Sequence, residues 1–190
     1  MFKRLVKATT TSDKFIATIR NTNTITADDY RQKGDLKKFQ FLADIGESSI
    51  LVRKQILSDF AKISSLFPKL KNIISIKVSF PQEDKTNVVG SYKKHNKTIT
   101  IYWYGEEHYR HTLFHELAHA IVDIYGIKKK QLKTLDIRYA NEYDSSFYSS
   151  LNHEEFFCEL FANYHTLRKG DNRYETANSL LVEFFSNLKG

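Results

Sequence analysis

The sequence predicts an α+β fold: a mixed sheet with helices first, then a helical remainder. Three observations carry this expectation. Two runs of β-branched and aromatic residues with period two, "IISIKVSF" (73–80) and "KTITIYWY" (97–104), occupy the middle of the chain. After about residue 105, apolar residues recur at helical spacing. Only seven glycines and two prolines interrupt 190 residues, so long regular elements are expected.

The first thirty residues are rich in threonine and asparagine, with one alternating run, "KFIATIR" (14–20), that reads as a strand. Residues 27–45 are weakly helical and interrupted by Gly34. "SSILVRKQILSDFAKISSLF" (48–67) is a stronger helix. Its apolar residues Leu51, Ile56, Leu57, Phe60, Ile63 and Phe67 recur every three to five positions, and Pro68 stops it. Strands follow at 73–80 and 97–104, with a shorter strand and a turn in "NVVGSYKKHNK" between them. Helices are expected over 107–125, 153–168 and 173–188. No internal repeat or low-complexity segment is present. The expected organisation is one domain, 1–190, with an α/β part over about 1–105 and a helical part over about 106–190.

Composition narrows the class. A chain that is 41% hydrophobic and 14% aromatic has enough apolar surface to build a core. The single cysteine, Cys158, excludes an internal disulfide framework and any multi-cysteine zinc site. The N-terminus has no apolar run of signal-peptide length, and no segment approaches a membrane span. The expected compartment is therefore the cytoplasm, or the exterior if Met1 follows a removed leader. The formal charge is +7, but the lysines are scattered. The densest cluster, "KKKQLK" (128–133), lacks interleaved aromatics and reads as a solvated face or a loop after a helix rather than a nucleic-acid site.

The chemistry is concentrated in "FHELAHAI" (114–121). On a helical wheel Phe114, Leu117, Ala118, Ile121 and Tyr125 form an apolar stripe, widened by Leu113, Ala120, Val122 and Ile124. The remaining wedge holds His115, Glu116, His119 and Asp123. Histidines at i and i+4 stand one turn apart on one face, so both imidazoles can reach one zinc ion. Glu116, about a quarter-turn away, misses the ion and is placed to act on water bound there as a general base. Chance gives HExxH in roughly 1–2% of chains of this composition, so its apolar neighbours add needed weight. His111 lies one turn earlier, but three histidines in one helical row cannot surround a tetrahedral ion, so a structural or rim role is expected. His95, His108 and His165 carry no expected function.

Catalytic zinc usually takes three protein ligands. A metzincin would need glycine at 122 and histidine at 125, where this chain has Val122 and Tyr125. Downstream, "NHEEFFCELFANY" (152–164) places Glu155 and Glu159 one turn apart on a helix otherwise carrying Phe156, Phe157, Leu160 and Phe161. Two carboxylates on an apolar helix need positive compensation, which zinc and its histidines would supply. Glu155 is the expected third ligand and Glu159 the expected acceptor from a zinc-bound histidine. Glu154 competes for the ligand role, and His153 and Cys158 are weaker alternatives.

"HELAHAIVDIYG" together with "YSSLNHEEFFCELFANYHT" resembles the catalytic domain of anthrax lethal factor and its relatives, among them the secreted Pro-Pro endopeptidases. The resemblance covers roughly residues 88–190. It implies a zincin-like metalloprotease fold of the gluzincin kind, with Zn2+ held by His115, His119 and Glu155. It also implies that Glu159 matches the family's glutamate four residues after the ligand. The family's catalytic tyrosine, seven residues before the ligand, falls on Tyr148. Without the resemblance Tyr148 is a loop aromatic and Tyr143 an equal choice.

The resulting expectation is a zinc-dependent endopeptidase acting on a protein or peptide. The metal would lower the pKa of its water to about 7, and Glu116 would carry the proton to the leaving amine. Zinc and Tyr148 would stabilise the oxyanion. The 97–104 strand would be an edge strand pairing with extended substrate, and Tyr102, Trp103 and Tyr104 would line the cleft or simply pack the sheet. Two rivals stand beside this reading. One is an intracellular peptidase cleaving phage or mobile-element repressors, partly echoed by "ELFAN". The other is a non-enzymatic basic binding module with a structural or degenerate metal site.

Overall fold

The computed structural model describes residues 24–26, 38–42, 48–79, 88–104, 108–135 and 152–188. The fold is mixed α+β, and the chain divides into two units, Met1–Tyr109 and Arg110–Gly190.

The first unit is built on a five-stranded mixed sheet. Its strands are β1 (Thr24–Thr26), β2 (Lys38–Leu42), β3 (Ser75–Ser79), β4 (Gly90–Lys93) and β5 (Thr98–Tyr102), in the spatial order β1-β2-β3-β5-β4. β2 runs parallel to β3, with Phe39 opposite Ile76. Helix α1 (Ser48–Leu66) connects them, because parallel neighbours need a crossover rather than a tight turn. α1 buries Val52, Ile56, Leu57, Phe60 and Ile63. It ends where expected: Pro68 opens a short 3-10 turn, Pro68–Leu70.

Two expectations are corrected in this unit. The weak helical pattern over 27–45 contains β2, not helix, at 38–42. "KFQFL" alternates polar and aromatic residues, and partners on both sides recruit it into the sheet, β1 antiparallel and β3 parallel. The 97–104 strand is not an edge strand. β5 is parallel to β3 on one side and antiparallel to β4 on the other, with Ile99 opposite both Ile76 and Tyr92. The turn at 94–97, closed by Lys97 at φ 54, folds β4 back onto β5 and fills the edge that β5 would have offered. Burial agrees: Ile99, Thr100 and Ile101 are consecutive buried residues, the mark of a strand covered on both faces. The edge on that side is β4. Beyond β5, Trp103 stacks on Tyr109, and the Tyr104 hydroxyl donates to the Val88 carbonyl. The alternating run at 14–20 lies outside the described residues.

The second unit is helical as described: α2 (Tyr109–Tyr125, its first residue closing the preceding unit), α3 (Lys129–Leu132), α4 (His153–Thr166) and α5 (Asn172–Asn187). α2 ends at Gly126, whose φ of 66 lets its N–H reach the Asp123 carbonyl while Ile127 reaches Val122. α4 and α5 pack through aromatic side chains, with Phe157 5.2 Å from Phe184 and 6.1 Å from Phe185 between ring centroids. His165 stacks on Phe114 of α2 at 4.7 Å and lies 4.5 Å from Phe161, which makes it a packing residue between two helices.

Candidate metal centre

All metal-ligating candidates that the structure describes lie on α2 and α4. Leu113, Phe114, Leu117, Ala118, Ala120 and Ile121 are fully or nearly fully buried, which fixes the rotation of α2 and leaves His111, His115 and His119 in a row. α4 is fixed in the same way by Phe156, Phe157, Leu160 and Phe161. The two rows meet in antiparallel order. His119 faces Glu154 and Glu155, His115 faces Glu155 and Glu159, and His111 faces Glu159.

The atoms that meet are specific. His115 Nε2 lies 3.3 Å and His119 Nε2 3.5 Å from the same oxygen, Glu155 Oε2. These separations are long for charge-assisted hydrogen bonds, which run about 2.7–2.9 Å. They are close to the edge of a tetrahedron with arms of about 2.0–2.1 Å, roughly 3.3–3.4 Å. The far ring nitrogens are occupied by other carboxylates: His115 Nδ1 is 2.7 Å from Glu159 Oε1, and His119 Nδ1 is 3.0 Å from Glu154 Oε1. An ionised carboxylate only accepts, so each Nδ1 carries a proton, and each Nε2 faces the Glu155 oxygen. The imidazole planes cross at 67° with centroids 5.1 Å apart.

Charge follows from this geometry. Burial works against the His115 imidazolium, but hydrogen bonds to Glu155 and Glu159 outweigh it and raise its pKa to about 9. Burial opposes the His119 charge too, and Cys158, Glu154 and Glu155 raise its pKa well above the ordinary value. Hydrogen bonds from His115 and His119 hold Glu155 far below the usual carboxylate range. Burial would raise Glu159, yet His111 and His115 bring it down to about 2.

A second donor set overlaps the first. His115, His119 and Cys158 also bring one ligand atom each within 4.8 Å of one another. The two sets share the histidines and differ in the third donor. Glu155 is the better fit: its oxygen sits at ion-sharing distances from both Nε2 atoms and is already an anion. Burial pushes the Cys158 thiol up to about 12 despite the pull of His119.

Glu116 is only 5% exposed, deeper than a residue on the open wedge of α2, and its charge is felt by both His115 and Cys158. Glu159 is placed on a histidine ring nitrogen, as the spacing suggested. Glu154 takes the equivalent position on His119. His111 reaches Glu159 at 3.4 Å, a contact that sequence reasoning missed although its i−4 spacing from His115 signals it. His153 is the first residue of α4. Tyr148 and Tyr143 lie outside the described residues. No helix among the described residues is long and apolar enough to cross a membrane. No protein-family model, curated protein or solved structure matches this chain.

Proposed function

We propose that this chain is a zinc-dependent endopeptidase of the gluzincin kind, with His115, His119 and Glu155 holding the ion. The observation that carries the proposal is the convergence of two imidazole Nε2 atoms on one Glu155 oxygen, with a carboxylate behind each ring. Three protein donors leave a fourth position open, which separates a catalytic from a structural zinc site.

Bound zinc supplies an acidified water and a Lewis acid for the scissile carbonyl. The chain's own groups do the rest. Glu116, on the helix that carries both histidines, takes a proton from the attacking water and delivers it to the leaving amine. Glu116 is buried, which shields its carboxylate from bulk water. Glu159 and Glu154 keep the imidazoles in one tautomer and one orientation. Tyr148 is proposed from the sequence resemblance as the donor to the developing oxyanion. The zincin-like fold rests on the same resemblance, and the mixed sheet followed by helices is compatible with it.

The test is metal analysis of the purified chain, then a peptide-library cleavage screen with Glu116→Gln as control. The variant is expected to keep its zinc and fold while turnover drops by at least about 10²–10⁴-fold. Unchanged cleavage in that variant would sink the mechanism.

A second reading, a closed structural site completed by Cys158, is favoured by the thiol's proximity to both histidines. The two separate cleanly in a cobalt-substituted sample. Thiolate ligation gives an intense near-ultraviolet charge-transfer band that Cys158→Ala removes, and the Glu155 set gives none.

A further inference from the structure

We infer that Glu154 is the positioning residue for His119, holding its ring as Glu159 holds that of His115, so that each metal-facing histidine has a carboxylate of its own. This deepens the metal-site reading and rests on it.

The neighbouring residue Glu155 points its oxygen toward the Nε2 atoms, whereas Glu154 Oε1 lies 3.0 Å from His119 Nδ1, on the far side of the ring. An atom bonded to Nδ1 cannot share an ion with Nε2 of the same imidazole, so this placement separates the holding role from the ligand role. Glu154 thereby holds the Nδ1 proton, so Nε2 is the ring atom left to face a cation once its own proton departs.

The local structure explains why two adjacent glutamates do different work. Asn152 caps α4, its Oδ1 accepting from Glu154 N at 2.9 Å and Glu155 N at 3.0 Å. The first turn is thus held at a fixed rotation, and successive residues project about 100° apart around the helix. One carboxylate reaches the front of the imidazole pair and the other reaches behind His119. Negative charge at this N-terminal turn is favoured by the helix dipole, so the pair is tolerated before any ion arrives. The holding pairs are thus matched helix to helix: Glu159 and Glu154 lie five residues apart on α4 and hold histidines four residues apart on α2.

The experiment measures Zn2+ affinity by competition with a chromophoric chelator, and the visible spectrum of the Co2+ form. The samples are the full chain, Glu154→Ala, Glu154→Gln and Glu155→Ala. Glu154→Ala is expected to weaken zinc binding by about 10–100-fold while the cobalt band keeps its shape. Glu154→Gln keeps an acceptor on Nδ1 and is expected to recover most of that loss. Glu155→Ala is expected to alter the band itself. Melting of the chelator-treated variants checks that all are folded. Unchanged affinity in Glu154→Ala overturns the inference and leaves the metal site standing. A band altered as in Glu155→Ala also overturns it, by making Glu154 a ligand. Failure of the unmodified chain to take up either ion removes the metal reading itself, and the Glu154 role with it.

Discussion

At the scale of single residues, the centre is a set of imidazoles and carboxylates that pair with one another. Its pH dependence has a definite sign. His115 rises from an ordinary 6.5 to about 9, so its contribution to stability is full below 6.5 and is lost as pH climbs through 9. Glu159 falls from 4.5 to about 2, so its contribution is full above 4.5 and is lost as pH drops through 2. Chelator-treated protein is therefore expected to melt highest between about pH 4.5 and 6.5, with Tm falling toward pH 9. A Tm that rises from pH 6.5 to 9 would contradict the pairing. Most of these residues were legible in the sequence, because HExxH and a Glu155–Glu159 spacing are statements about helix faces. The role of Glu154 was not. Adjacent positions differ by about 100°, and what decides between them is the cap at Asn152. The depth of Glu116 was also hidden, since a wheel shows which way a residue points but not what covers it.

At the scale of elements, termini matter as much as faces. Asn152→Ala removes the acceptor for two backbone N–H groups at the start of α4 and is expected to lower stability by about 1 kcal/mol, measured by denaturant unfolding. Gly126→Ala meets no neighbouring atom, yet it forces a Cβ into a left-handed conformation and is expected to cost about 1–2 kcal/mol. A cost near zero would show that the end of α2 rearranges freely. The four long helices were readable within one or two residues because their apolar period is long and unbroken. The short helix Lys129–Leu132 has no such period and reads from sequence as a solvated face or loop. Strand position was less so. The alternation in 97–104 announced a strand correctly but is silent on which edges are filled, and the Tyr92–Ile99 pairing that makes β5 internal depends on a turn four residues long. The error over 27–45 is of the same kind: a short local pattern lost to sheet partners distant in sequence.

At the scale of the whole molecule, the proposed ligand donors lie within Arg110–Gly190 and the five described strands within Met1–Tyr109. Zinc should therefore act on a part of the chain rather than on all of it. Hydrogen exchange with and without zinc is expected to slow in α2 and α4, where the ion would join two helices, and to change little in β3 and β5. Uniform slowing across both units would count against a site confined to the helical one. The formal charge of +7 has no counterpart in the described centre, where the histidines face glutamates.

One consequence follows from the antiparallel row of three histidines against three glutamates. Near neutral pH, His115 and His119 are both lifted into the protonated form by the carboxylates that surround them. A cation can be admitted only when those rings give up that charge, so loading is an exchange of ions rather than a simple addition. Each zinc taken up at pH 7 is expected to release about two protons to the buffer. The heat of binding measured by calorimetry should then shift in proportion to the ionisation enthalpy of the buffer chosen, making the centre a stoichiometric converter of metal concentration into acidity.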